Sequence, residues 1–117
     1  MILEKVISYL NASNDISVSA YAEVPQTKPE SYIVIEQIAG SEQNQLLTTR
    51  LAVQSIDTRS LYNAALLNEK VKKAMNDIVA LDAVSGVRLN SDYNFTNTAT
   101  KEYRYQAVFD IYHYKED

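Results

Sequence analysis

The most restrictive stretch of this sequence lies near its end. Tyr103, Tyr105, Ala107, Phe109 and Ile111 alternate with Glu102, Arg104, Gln106 and Asp110. Side chains on a strand point to opposite faces in turn, so this pattern, read from Lys101 onward, is a long antiparallel strand with one buried face. Such a strand needs partners at its sides and a layer over its apolar face. The remainder of the chain has to supply both.

Two segments have the period of a covering layer. Ile2, Leu3, Val6, Ile7 and Leu10 recur at three- and four-residue steps, which makes residues 2–12 an amphipathic helix, ended by the turn formers Asn11 to Asp15. Leu61, Ala64, Ala65, Leu67 or Asn68, Val71, Ala74, Met75 and Ile78 track one face of a second, longer helix. Asp57 or Thr58 is placed to cap it, and Glu69 with Lys73 supports its wet side at i,i+4 spacing.

The other segments read as strands. Ile16, Val18, Ala20 and Ala22 alternate with Ser17, Ser19 and Tyr21. An extended connection follows through Pro25 and Pro29, because each proline pushes the preceding residue out of helical space. Tyr32 to Ile38 is apolar at nearly every position, as expected for a strand in the middle of a sheet. Thr49 to Ile56 pairs with it across a polar loop, Gly40 to Leu47, giving a hairpin with a long tip. Gly86 to Asp92 is a shorter strand, and Tyr93 to Thr100 is an Asn/Thr loop. The expected fold is therefore α+β, in the order α-β-β-β-α-β-β. Both helices pack on one face of a mostly antiparallel sheet of four to five strands, within a single domain spanning residues 1–117.

Composition narrows the function. A chain of 117 residues can bury roughly 65% of its unfolded surface, enough for one core. Eleven basic residues scattered among fifteen acidic ones leave a net charge of −4 and no basic stripe for nucleic acid. Cysteine is absent, which excludes disulfides and thiolate metal sites. The start of the chain lacks the charge pattern of a signal peptide, and no apolar run approaches the ~20 residues of a membrane span. The expected location is the cytoplasm or a particle assembled there.

Residues able to do chemistry are few. His113 is the only histidine, flanked by Tyr112 and Tyr114, and no Gly-x-Ser-x-Gly elbow accompanies it; it reads as a surface histidine at a strand end. Asp92, Asn94 and Thr96 occupy the first, third and fifth places of a calcium loop, but Asn97 and Tyr103 stand where the glycine and the bidentate glutamate belong. Lys70, Lys72 and Lys73 form the one basic cluster and read as a solvated helix face. These patterns imply no enzyme, no metal and no cofactor.

What remains is surface. Nine tyrosines stand against two phenylalanines and no tryptophan. Tyrosine suits interfaces because its ring contributes apolar area while the hydroxyl tolerates a wet rim. The sheet's second face, with Tyr32, Val34, Glu36, Ile38, Ala52, Gln54, Ile56, Val108 and Tyr112, is half apolar. Tyr32, Val34, Tyr112 and Tyr114 are therefore candidates for a subunit interface.

The order of these features matches a known pattern. The phrase Glu23-Val24-Pro25-Gln26-Thr27-Lys28-Pro29-Glu30-Ser31-Tyr32-Ile33-Val34-Ile35-Glu36 is followed by Leu51-Ala52-Val53-Gln54-Ser55-Ile56, a long helix, and Arg104-Tyr105-Gln106-Ala107-Val108-Phe109-Asp110-Ile111-Tyr112. Over roughly residues 2–112 this resembles the tail terminator (minor tail, tail-completion) proteins of long-tailed bacteriophages. These share a V-P-x-x-x-P-x-x-[FY]-[IV]-x-[IV]-E stretch, a V-Q strand and a closing Y-Q strand. The resemblance implies a self-assembled ring, usually hexameric, at the head-proximal end of a virion tail. Its partners would be the tail-tube protein and a head-completion protein, with DNA passing unread through the lumen. On that reading the tip residues Gly40, Ser41, Glu42, Gln43, Asn44 and Gln45, and the loop Asn90 to Thr100, would dock on the tube or face the lumen. The alternatives are another head–tail joining or tail-tube component, or a small metal-binding or enzymatic module.

Overall fold

A computed structural model describes residues 1–100 and 102–115. It has two helices and one five-stranded mixed sheet, in the expected order α-β-β-β-α-β-β. The elements are α1 (Ile2–Ala12), β1 (Ala20–Tyr21), β2 (Ser31–Gln43), β3 (Leu46–Asp57), α2 (Leu61–Asn76), a 3-10 turn (Ile78–Ala80), β4 (Val84–Asn94) and β5 (Tyr103–Tyr114). Across the sheet the strands run β1-β2-β3-β5-β4, every pairing antiparallel except β1 with β2.

One apolar cluster joins both helices to the same face of the sheet. Ile2, Val6 and Leu10 from α1 and Leu67, Val71, Ala74 and Met75 from α2 meet Ile33, Ile35, Leu51, Val53, Phe109 and Ile111. Each fully buried aliphatic or aromatic side chain here contributes roughly 1.5–3 kcal/mol, and together they fix the register of the central strands. β3 and β5 are the central pair and are buried on most positions of both faces. β5 is a long antiparallel strand as expected, but not with a single buried face: Gln106, Val108 and Asp110 are buried along with Ala107, Phe109 and Ile111. Its boundary falls at Tyr103, and Lys101 lies outside the described residues.

Several expectations are corrected. β2 is second from the edge, not in the middle: Tyr32 to Ile35 are buried, but the strand continues to Gln43 as exposed residues. The polar stretch Gly40 to Leu47 is not a loop. β2 and β3 pair to Gln43↔Leu46, through Gly40↔Thr49, Ser41↔Thr48 and Glu42↔Leu47, and a two-residue turn joins them. Asn44 and Gln45 have φ of 55° and 67°, the left-handed pair that matches a hairpin's twist. Polar composition marked this segment as exposed, and exposure alone does not separate a loop from the far end of a ribbon.

The first expected strand shrinks to Ala20–Tyr21. Asn11 explains where the sheet stops: its Oδ1 accepts from Ala20 N–H (2.8 Å) and its Nδ2 donates to the Ala20 carbonyl (3.3 Å), doing the work of a further strand. The second helix is capped by Ser60, whose Oγ accepts from Asn63 N–H at 3.0 Å, and not by Asp57 or Thr58. Asp57 instead accepts from the amides of Arg59 and Ser60, shaping the turn into the helix. Glu69 pairs with Lys72 at 2.7 Å, one residue short of the expected Lys73. β4 is longer than expected, taking in Tyr93 and Asn94, and its hairpin with β5 continues to an isolated bridge between Asn97 and Glu102.

Candidate interaction surfaces

Opposite the helices, the sheet's second face is covered at one end and open at the other. At the covered end Tyr32, Val34 and Ile56 form a small core of their own, with Tyr21 set edge-on to Tyr32 at 6.5 Å. Tyr32 Oη donates to Glu102 (3.4 Å), which also binds Lys28, so the proline-rich connection and the tip of the β4–β5 hairpin meet there. Burial and the adjacent Glu102 carboxylate raise the Tyr32 hydroxyl above its ordinary pKa. Tyr32 and Val34 are thus buried within the chain and offer no free area to a neighbouring subunit. Sequence pattern put them on the correct face but could not show that a distant hairpin covers it.

The middle of this face is polar and ordered. Gln54 and Gln106, opposite one another on β3 and β5, are joined by Nε2–H···Oε1 at 2.9 Å, and Gln106 also meets the Tyr93 hydroxyl. Arg104 reaches Gln54 and lies 5.4 Å over the Phe95 ring, which in turn sits edge-on to Tyr93. Further along, Asp110 is almost wholly buried and accepts from Arg50 (2.8 Å), Arg88 (3.0 Å) and Asn90 (3.3 Å). The hydrogen bond from Arg50 leads the interactions that hold its carboxyl below the usual range. The even-numbered, outward-facing positions of the two strands carried this signal. Without the register, Arg50 could not be matched to Asp110.

Tyr112 is half-buried beside Gly86, where an added Cβ would stand 3.4 Å from the ring; the glycine leaves room for the tyrosine to lie across the edge strand. Tyr114 is 56% exposed at the sheet's end, next to the Asn44–Gln45 turn, and of the four candidate interface residues it alone is largely free. The six candidate tip residues do stand together and exposed, four in strand and two in the turn.

The chemistry-bearing residues do not converge. His113 is buried, contrary to expectation: it shares the helix-facing side of β5 with Phe109 and Ile111, and its Nε2 lies 2.7 Å from Thr49 Oγ1. Asp92 is bound by Asn68 (2.7 Å) and Lys72 (2.6 Å), while Asn94 bonds to Thr96, so the calcium-like positions serve local structure. Among the described residues no group of three or more His, Asp or Glu is placed to hold a metal ion. Of the three clustered lysines, Lys72 is tied to Glu69 and Asp92, and Lys70 and Lys73 remain exposed. A groove of about 670 Å³ beside α1 is lined by Tyr9, Ala12, Leu81 and Ala83, with Glu4, Lys5 and Asp82. Among the described residues no helix is long and apolar enough to cross a membrane.

Both lateral edges of the sheet are open. Among the described residues β1 covers β2 only at Ile33 and Val34, leaving the exposed stretch from Glu36 to Gln43 without a strand, and β4 is an edge along its whole length. Neither the known protein-family models nor the curated proteins contain a match to this chain.

Proposed function

We propose that this chain is a structural virion protein of the tail-terminator type, one subunit of a ring, usually hexameric in such proteins, at the head-proximal end of a phage tail. The observation that carries this reading is the Gln54–Gln106 pair. The glutamines of the two short motifs that resemble this family, Val53-Gln54 and Tyr105-Gln106, lie directly opposite on the central strands and hydrogen-bond at 2.9 Å. The third motif ends in Glu36 on β2, beside the same pair of strands. Glu36, Gln54 and Gln106, the polar residues of the three motifs, therefore share the helix-free face of one sheet.

The role is mechanical, with no bond made or broken. The ring ends polymerisation of the tube, gives the head a surface to join, and lets DNA pass. A net charge of −4 suits such passage, because a strongly basic lumen would retain phosphates. Head-to-tail contacts between subunits close into a ring when their rotation divides a full turn.

Electron microscopy of the purified protein tests the reading. Single closed rings that block further growth of tail tubes are the expected result. Filaments of stacked rings would assign the chain to the tube itself, and particles without rings at any concentration would remove the proposal.

A further inference from the structure

The two open edges of the sheet run in opposite directions. β2 is antiparallel to β3, β3 to β5, and β5 to β4, so β4 runs antiparallel to β2. If β4 of a second copy is laid against the free edge of β2, with both helix layers on the same side, the pairing is antiparallel and the sheet continues across the junction. The backbone is already set for this. Ile33 N–H points away from β3 toward Ser19 O, so Gln37, of the same parity and ahead of the bulge at Ile38, aims its N–H and C=O groups at the open side, which begins where burial ends after Ile35.

Charge makes the two edges complementary. Glu36 is exposed on the helix-free face of β2, and among the described residues no side chain pairs with its carboxylate. On the same face of β4, Arg88 shares the single carboxylate of Asp110 with Arg50, leaving one positive charge in surplus at that edge. Each edge thus holds the charge the other lacks, whereas edges guarded against pairing usually repel.

We propose that copies of this chain join edge to edge, β2 of one to β4 of the next, with Glu36 set beside Arg88 of the neighbour. This deepens the ring reading above and rests on it. In that register Ile35 lies beside Leu89, which is 45% exposed on the helix-facing side and becomes covered. The bulge at Asn90 bends the rest of β4 away where β1 begins, so the pairing uses the first half of β4. The contact is heterologous, and it can repeat until the sheet closes on itself.

The test follows self-association by sedimentation and hydrogen exchange. Glu36→Lys alters an exposed, unpaired side chain and is expected to weaken association at least tenfold. Gln37→Pro removes an outward N–H on an edge strand, where proline is tolerated, and is expected to abolish association while the monomer keeps its melting temperature. In the wild-type protein, the amide of Gln37 should exchange at least tenfold more slowly when associated than when dilute. Association that is untouched by both substitutions, or that leaves the Gln37 amide unprotected, overturns the edge contact and leaves the ring reading standing. A wild-type protein that stays monomeric up to millimolar concentration overturns both.

Discussion

Asp110 Oδ1 accepts a 2.8 Å hydrogen bond from Arg50 Nε across the two central strands, and the carboxylate is only 4% exposed while the arginine side chain is 41% exposed. The arginine therefore covers the carboxylate it binds, with Arg88 closing the other side at 3.0 Å. Removing the charge leaves two guanidinium groups near a neutral amide. Asp110→Asn is expected to lower stability by about 2 kcal/mol, within the range for hydrogen bonds to charged groups, as read from urea unfolding at neutral pH.

The same carboxylate gives the protein an acid-sensitive component. Asp110 is held below its ordinary pKa, first by Arg50 and then, against the opposing effect of burial, by Arg88 and Asn90. For Asp57, burial pushes upward, but hydrogen bonds from the Arg59 side chain and the amides of Arg59 and Ser60 outweigh it and the net shift is downward. A carboxyl whose folded pKa is depressed stabilises the fold above its unfolded value, about 3.9, and loses that contribution as pH falls through the folded value. Melting temperature should thus fall on acidification below about pH 4. Asp110→Asn should show a shallower fall than the wild type, and an equal slope would exclude Asp110 as a source.

The cap on α2 can be assigned by substitution. Ser60→Ala removes the acceptor for Asn63 N–H and is expected to cost about 1 kcal/mol in thermal or chemical unfolding. Thr58 donates to the Glu30 carbonyl instead, at 3.0 Å and in an exposed position. Thr58→Ala should cost clearly less than Ser60→Ala, and the reverse order would restore the cap expected from sequence.

Periodicity made the elements legible, and its limits explain what was not. α1 and β5 could be read because Ile2, Val6 and Leu10, or Ala107, Phe109 and Ile111, each bury one side of a regular element. Pairing partners and boundaries depend on contacts far apart in sequence. Tyr32 and Val34 are buried by Tyr21 and by a hairpin some 70 residues away, with Glu102 at its tip. β2 looked central because it is covered on both faces over Tyr32 to Ile35, although a neighbour only two residues long stands beside it. The open edges have no signature in composition: they follow from the strand order, with β4 last on one side and β1 covering β2 only at Ile33 and Val34 on the other.

Ser55 is fully buried in β3, and its hydroxyl has no hydrogen-bond partner among the described residues. A buried polar group without a partner costs about 1–3 kcal/mol, and alanine removes it with almost no change in shape. Ser55→Ala is accordingly expected to raise stability, by up to about 1 kcal/mol, seen as a higher melting temperature. A lower melting temperature would mean that the hydroxyl is satisfied in solution.

The turn at Asn44–Gln45 yields the last prediction. Both residues have positive φ, and each is therefore in the region that L side chains enter at a cost of roughly 1–2 kcal/mol, with asparagine paying least among non-glycine residues. Two-residue hairpins of this hand favour Asn-Gly, and here the first position already holds asparagine while glutamine occupies the second. Gln45→Gly relieves the strain but gives the unfolded chain more freedom, so the net gain is expected to be about 0.5 kcal/mol. Gln45→Pro is incompatible with φ of 67° and should unpair the ends of β2 and β3. If the strands instead ended near Gly40, with a flexible loop between them, neither substitution would move stability, and hydrogen exchange at Ser41, Glu42 and Leu47 would be fast in all three proteins.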